Sequence, residues 1–159
     1  MLSVKIVTVG SLKEKYLKDA VAEYSKRLSA FCKLDIIELK ESRIQDNPSN
    51  AEIAAVLESE AEKIGEHLSP RAYKIALCVE GKQCSSEALA KKIEDISSRT
   101  GEIVLVIGSS HGLSDSIKTA CDMRLSVSEL TFPHQLMRVL LLEALYRSFN
   151  IIKGTKYHK

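Results

Sequence analysis

Apolar residues in this chain follow two kinds of pattern, which alternate from one end to the other. Short apolar runs predict five strands, at residues 2–9, 34–39, 73–79, 102–107 and 124–128. Apolar positions spaced by three and four residues predict five intervening helices, at about 12–31, 50–68, 85–99, 114–120 and 134–152. This alternation is typical of an α/β protein with a mostly parallel sheet and helices on both faces. The chain is long enough for one domain with a real core, so we expect a single domain over residues 1–159.

Three of these elements carry further detail. The run at 102–107 is almost continuously Val, Ile and Leu, which predicts a central strand covered on both faces. Ser49 or Asn50 is placed to cap the second helix. The polar positions of that helix predict a solvated acidic face, with the residues Glu58, Glu60 and Glu62.

The last helix is apolar on nearly every side. Between residues 136 and 152 its polar positions are few, and they are Arg138, Glu143, Arg147, Ser148 and Asn150. A helix that is apolar all round must be covered on more than one face. In a chain of 159 residues this pattern predicts a subunit interface, and we expect a homodimer. Pro133 is suited to the first turn of this helix, where a missing N–H is tolerated.

Composition narrows the class of protein. Hydrophobic residues make up 45% of the chain and charged residues 28%, as in ordinary soluble globular proteins. No apolar run approaches membrane-spanning length, and the start of the chain shows no signal-peptide pattern. The four cysteines have no metal-ligand spacing, which favours reduced thiols. We therefore expect a cytoplasmic protein with no membrane contact and no metal.

Charge is distributed unevenly. The formal net charge is only +2, yet residues 131–159 contain five lysines and arginines against the single acid Glu143. A basic end on a nearly neutral body favours an anionic partner such as RNA. The alternative is that these cations only complement the carbonyl end of the last helix.

Three loops are candidate ligand sites, because ligands of parallel α/β sheets bind beyond the carboxyl ends of the strands. These loops follow residues 77–79, Ile107 and Ser128. The turn 108–112 has glycine at both ends, which lets backbone approach a ligand closely or simply permits a tight turn. It matches neither the Walker A pattern nor GxGxxG.

The same turn, Gly-Ser-Ser-His-Gly, also fits the G-x-S-x-G pattern of serine hydrolases. Ser110 would then be the nucleophile. The residues available to complete the order serine, acid, histidine are Asp115 or Asp122 and His134 or His158. The pattern is short, and the chain is small for that fold.

Longer motifs resemble a known family. Residues 125–138 read Leu-Ser-Val-Ser-Glu-Leu-Thr-Phe-Pro-His-Gln-Leu-Met-Arg, and Leu-Leu-Glu-Ala-Leu-Tyr-Arg and a terminal Tyr-His-Lys follow. Together with Val9-Gly10, Leu12-Lys13-Glu14-Lys15-Tyr16 and Val106-Ile107-Gly108, they resemble the ribosomal RNA large subunit methyltransferase H family of the SPOUT class. The resemblance covers the whole chain, and the Thr-Phe-Pro-His-Gln string is its most specific part.

The resemblance implies a homodimeric enzyme that uses S-adenosyl-methionine to methylate N3 of a pseudouridine in 23S rRNA, in the stem-loop that contacts the small subunit of the ribosome. It also implies a C-terminal trefoil knot, a rare feature that no periodicity predicts. The implied cofactor-binding residues are Leu77, Gly108, Val127, Ser128, Glu129, Leu130, Thr131 and Phe132. Two positions depart from the family pattern, since Ser109 replaces a second glycine and Leu130 replaces a frequent methionine.

Methylation at N3 requires loss of an imide proton, so the resemblance also suggests catalytic roles. His158 is the favoured base, and Tyr157 would stack on the target base or hydrogen-bond to it. Arg138, or Lys159, would hold phosphate or developing negative charge. His134 is better explained as a partner near the start of its helix. Two alternatives remain open at this point, namely a serine hydrolase using Ser110 and an RNA-binding protein without catalysis.

Overall fold

Five parallel strands form the centre of the molecule. The computed structural model describes all residues from Met1 to Lys159. The strands are β1 (Ser3–Val9), β2 (Lys33–Leu39), β3 (Tyr73–Lys82), β4 (Glu102–Ile107) and β5 (Met123–Leu125), and their order in the sheet is β2-β1-β4-β3-β5. Each neighbouring pair is parallel. The predicted central strand is confirmed, because β4 lies in the middle and its side chains from Ile103 onward are buried.

Helices cover both faces of this sheet, as predicted. They are α1 (Lys15–Leu28), α2 (Asn50–Gly65), α3 (Ser86–Ser97), α4 (Asp115–Ala120) and α5 (His134–Lys153). Alternate β4 side chains enter two separate cores. Ile103 and Leu105 pack in a core shared with α1, α3 and α5. Val104 and Val106 pack in a core shared with α2 and α4.

Serine side chains set where three of the helices begin. Ser49 forms a capping box with Glu52, and Ser85 and Ser114 accept hydrogen bonds from backbone N–H groups of α3 and α4. Gly154, in the left-handed conformation at φ 68°, ends α5. The predicted boundaries are therefore close, although α1 begins at Lys15 rather than 12 and α2 ends before residue 68.

The prediction of a strand over residues 124–128 was wrong in its extent. The strand β5 ends at Leu125. Beyond it, the Ser126 hydroxyl donates to the Ser128 carbonyl at 3.0 Å, and the Ser128 hydroxyl accepts from the Leu130 N–H at 2.9 Å. Such local serine bonds compete with strand pairing, so the alternating pattern continues while the chain already turns.

Residues 78–81 form an arch over the end of β5. Leu77 and Lys82 both pair with Leu125, so the four residues between them are an extra segment within β3, as in a large β-bulge. At Gly81 an added Cβ would lie 2.7 Å from the Leu125 carbonyl carbon. Only a residue without a side chain permits this backbone crossing. The trefoil knot itself stays a prediction.

The helix α5 is covered mainly by its own chain. Leu141, Leu142, Leu145 and Phe149 are buried in the core shared with α1 and α3. The apolar side chains near its start are only partly covered, and they are Leu136, Val139 and Leu140. Intramolecular packing therefore explains one face of this apolar helix, and the other face stays half-exposed.

Candidate functional site

A cavity of about 710 Å³ lies where β3, β4 and β5 end. Its walls are residues 77–80, 107–113, 125–128 and 131–134, with contributions from Lys118 and Met137. All three predicted ligand loops therefore meet in one place, as the carboxyl-end rule requires. The volume lies within the range of about 300–1,000 Å³ that is usual for small-molecule sites.

The structure brings most of the predicted cofactor-binding residues to this cavity. Those that line it are Leu77, Gly108, Val127, Ser128, Thr131 and Phe132. The other two, Glu129 and Leu130, are not among the lining residues, and Leu130 points outward with 70% of its surface exposed.

The glycine-rich turn forms one wall by folding tightly on itself. Ser109 and Gly112 form an isolated bridge, in which the Gly112 N–H donates to the Ser109 carbonyl at 2.9 Å. An added Cβ at Gly108 would lie 2.2 Å from the Gly112 carbonyl oxygen. Gly112 itself adopts φ 88°, which side chains disfavour. Both glycines are therefore needed, one for space and the other for backbone conformation.

Behind this turn lies a buried acid that the sequence pattern placed in solvent. Glu60 is only 2% exposed, so the prediction that it belongs to a solvated acidic face was wrong. Its carboxylate accepts from the Ser109 hydroxyl at 2.9 Å and from the Ser42 N–H at 3.3 Å. These donors explain why a carboxylate is tolerated there. The serine that departs from the family pattern is thus the residue that ties the turn to α2.

An ion pair stands at the edge of the cavity. Glu80, on the arch, is paired with Lys118 of α4, and this bond holds the pKa of the Glu80 carboxyl below its usual value. Nearby, burial raises the pKa of the Cys78 thiol, which keeps it protonated at neutral pH. His111 and His134 also line the cavity. The site thus combines apolar walls with a few polar groups, an arrangement typical of pockets for small organic ligands.

Ser110 is not assembled into a hydrolase triad. It is exposed on the turn, and its hydroxyl makes no hydrogen bond to a histidine side chain. His158 instead bonds to Arg147 and Glu87. The turn also does not lead directly into a helix, since α4 begins only at Asp115. A serine hydrolase requires a hydrogen bond between the serine and a histidine, and its nucleophile elbow leads directly from a strand into a helix.

The C-terminal tail is docked against α5 and α3. The Tyr157 hydroxyl donates to Glu143 at 2.8 Å, and the Tyr157 ring packs edge-on against Tyr146 with 4.8 Å between centroids. His158 lies 3.2 Å from Arg147 through Nδ1 and 2.8 Å from Glu87 through Nε2. The tail is therefore ordered, but neither Tyr157 nor His158 lines the cavity.

Arg138 also lies outside the cavity, although its helix neighbours His134 and Met137 line it. Its side chain is 2% exposed, and Nη1 is paired with the Glu38 carboxylate at 2.7 Å. Nη2 donates to the Gly10 carbonyl at 3.2 Å, and Nε has no partner. A carboxylate of its own chain thus neutralises this cation. The anion-holding role of Arg138 stays a prediction, which this arrangement does not support.

The structure contains no cluster of three or more residues suited to hold a metal ion. It also contains no helix that is long and apolar enough to cross a membrane.

Comparison with known proteins finds relatives over the full chain. The family described as "Predicted SPOUT methyltransferase" matches residues 2–158. A protein of Streptococcus thermophilus (strain CNRZ 1066), named ribosomal RNA large subunit methyltransferase H, is 48% identical over 99% of this chain and 100% of its own length. A protein of Methanococcus maripaludis (strain C5 / ATCC BAA-1333), which carries that name with a provisional qualifier, is 51% identical over the same shares.

The fold is also found among solved structures. A probable methyltransferase from Bordetella pertussis Tohama I matches with a TM-score of 0.57 over 93% of this chain and 95% of that chain. Its sequence identity is 13%, so this likeness concerns the fold alone.

Proposed function

Because the chain belongs to the SPOUT methyltransferase family, we propose that it methylates large-subunit ribosomal RNA with S-adenosyl-methionine as the methyl donor. The names of its full-length relatives support this RNA class. We propose N3 of a pseudouridine in 23S rRNA as the target, in the stem-loop that contacts the small subunit. The observation that carries the proposal is the glycine-walled cavity at the ends of β3, β4 and β5.

The cavity residues fit such a cofactor. Leu77, Val127 and Phe132 offer apolar surface to an adenosyl group, and Ser128 and Thr131 add hydroxyl groups. At Gly108 the backbone comes so close to Gly112 that no side chain is possible. Bare backbone N–H and carbonyl groups at that wall suit the recognition of polar ligand atoms at short range.

Bound there, the cofactor would supply an electrophilic methyl group. The residues of the chain must then orient the target nitrogen and remove its proton. His158 is our candidate for holding that proton, and Tyr157 for placing the base. Their docking on α3 and α5 shows an ordered tail rather than a loose terminus. Neither residue lines the cavity, so the tail must reach a target base from outside the cofactor site.

The direct test is transfer of a labelled methyl group to intact ribosomes, compared with free rRNA and separated subunits. The net charge of only +2 predicts a low affinity for free RNA, because contacts to phosphates supply most of the affinity of proteins for RNA. We therefore expect assembled ribosomes, in the cytoplasm, to be the preferred substrate. Calorimetry with S-adenosyl-methionine separates this proposal from RNA binding without catalysis. The proposed methyltransferase activity would be refuted if no methyl group were incorporated into any of the three substrates.

The tail role has its own test. Deletion of residues 157–159 should leave binding of S-adenosyl-methionine within about twofold, because these residues are outside the cavity. Methyl transfer should be lost. Equal activity of the truncated and full-length proteins would show that the tail is not needed.

We also propose that α5 forms a homodimer. The partly covered apolar side chains Leu136, Val139 and Leu140 share one side of this helix and follow one another at spacings of three and one. Burying them against a second copy removes apolar surface from water. Sedimentation should show a dimer at micromolar concentration, and Val139→Glu should dissociate it. A wild-type monomer under those conditions would contradict the proposal.

A further inference from the structure

Glu143 is the centre of a hydrogen-bond network that reaches the tail. One of its carboxylate oxygens accepts from the hydroxyls of Tyr24, at 2.6 Å, and Tyr157, at 2.8 Å. The other oxygen accepts from two nitrogens of Arg147, at 3.0 Å and 2.7 Å. Four donors from α1, α5 and the tail thus converge on one carboxylate. An ionised carboxylate, which only accepts, matches this set of donors.

The bond pattern of Arg147 determines the protonation of His158. Because Nε and Nη2 are directed to Glu143, Nη1 is left to face His158 Nδ1, at 3.2 Å. A guanidinium group can only donate, so Nδ1 must accept and carries no proton. The ring proton is then on Nε2, which donates to the Glu87 carboxylate at 2.8 Å. Both ring nitrogens of His158 are therefore assigned by their partners.

The same guanidinium also holds the tyrosine of the tail. Arg147 lies over the Tyr157 ring, with 4.8 Å between the guanidinium carbon and the ring centroid. Arg147 is thus in contact with both tail residues, and Glu143 fixes Arg147. Glu143 bonds directly to Tyr157 and controls His158 only through Arg147.

We propose that Glu143 is a positioning residue for methyl transfer, which orients Arg147 and Tyr157 and thereby sets the place and tautomer of His158. This inference rests on the proposed role of the tail in catalysis. Burial by itself raises the pKa of the Glu143 carboxyl, but hydrogen bonds from Tyr24, Tyr157 and Arg147 bring that pKa below its usual value. The carboxylate is therefore ionised at neutral pH, as the four donors require.

Glu143 also joins α1 to α5 through its bond to Tyr24, which is a purely structural role. Substitution of Tyr24 provides a control for that role. Tyr24 donates to the same carboxylate oxygen as Tyr157, but it belongs to α1. Tyr24→Phe removes one phenol bond to Glu143 and leaves every tail contact in place. Glu143→Gln removes the charge and presents N–H groups to neighbours that are themselves donors.

The test compares these two variants with the wild type in full-length protein. We measure ¹⁵N NMR signals of the imidazole rings, binding of S-adenosyl-methionine by calorimetry, and kcat and KM on ribosomes. In the wild type, His158 should show one neutral tautomer, with the proton on Nε2. In Glu143→Gln its two nitrogens should give averaged signals, and kcat should fall by about 100-fold, the lower end of the range of acid–base contributions. Cofactor binding should stay unchanged, and Tyr24→Phe should match the wild type in all three measurements.

Two outcomes overturn the proposal. They are an unaltered His158 spectrum in Glu143→Gln, and an equal loss of kcat in Glu143→Gln and Tyr24→Phe. Should Glu143→Gln fail to fold, Arg147→Gln provides the same test, since it removes the donor to Nδ1 and leaves Glu143 bonded to both tyrosines. Absence of methyl transfer in the wild type would refute the proposed function instead, and the His158 spectrum distinguishes the two failures.

Discussion

Gly108 offers the sharpest test of how the cavity wall is built. A methyl group added there would lie 2.2 Å from the Gly112 carbonyl oxygen, whereas real Cβ atoms almost never approach closer than 3.0 Å. In Gly108→Ala the two sides of the turn must therefore separate by about 0.8 Å. The φ angle of Gly108 is not in the left-handed region, so the cost is steric alone.

The expected magnitude follows from this overlap. Overpacking of this kind costs about 1–3 kcal/mol, and backbone on both sides of the contact places the cost toward the upper end. For a chain of this size the melting temperature should fall by about 2–4 °C for each kcal/mol. A misplacement near 1 Å at a ligand site can reduce the rate about 100-fold, so methyl transfer should fall by a similar factor.

Gly65→Ala is the matched control, because it adds the same methyl group where nothing lies within 4 Å. Gly65 is the exposed last residue of α2 and its φ is not positive, so alanine should stabilise by about 0.4–1 kcal/mol through the lower entropy of the unfolded chain. The two variants should therefore shift the melting temperature in opposite directions. Scanning calorimetry and titration with S-adenosyl-methionine measure both effects. A Gly108→Ala protein with wild-type melting temperature and wild-type affinity would refute the argument that direct backbone contact closes this turn.

Further predictions concern the groups that support the site. Ser109→Ala should cost about 1–3 kcal/mol in urea unfolding, since it deprives the buried Glu60 carboxylate of a donor. Ser110→Ala, on the exposed face of the turn, should change stability by less than about 0.5 kcal/mol, and a fluorophosphonate probe should leave Ser110 unlabelled. Burial and the bond to Glu143 raise the pKa of Tyr24 from 10.0 to about 12. The folded state therefore holds this proton more tightly, and the stability from Tyr24 is complete below pH 10 and lost as pH rises toward 12. Tyr24→Phe should flatten that part of the curve of unfolding free energy against pH, and an identical alkaline decline in both proteins would contradict the assignment.

The layered fold was predictable because its elements have local causes. The strand β4 was placed correctly at both ends, since a continuous apolar run is followed by glycine. The start of α2 followed from the predicted cap at Ser49 or Asn50, because a serine cap acts within three residues along the chain. The end of β5 was missed because the bonds of Ser126 and Ser128 and the pairing to Lys82 override a pattern that still alternates.

The electrostatic partners were not predictable, because they come from distant parts of the chain. Glu60 lies in an acidic stretch of α2, and nothing local indicates that Ser109 will meet it. The family resemblance suggested that Arg138, or Lys159, holds phosphate or developing negative charge, and nothing local to Arg138 indicates that Glu38 of β2 will pair with it. Sequence periodicity indicates which face of an element is buried, but it does not indicate which polar group of another element will contact that face.

The position of the tail connects two of the proposals. Tyr157 and His158 are held by Glu143, Arg147 and Glu87, and neither residue lines the cavity of its own chain. The start of α5, where His134 lines the cavity, is also where the apolar side chains of the helix are only partly covered. A second copy docked on that side would therefore lie next to the cofactor site. Catalysis then requires either that this tail leave its docking site or that the tail of a partner subunit, docked on its own chain, face the cavity. By either route, Nδ1 of His158 can take the proton only as it gives up its bond to Arg147, while Glu143 keeps its bonds to Arg147 and Tyr157 by the second route.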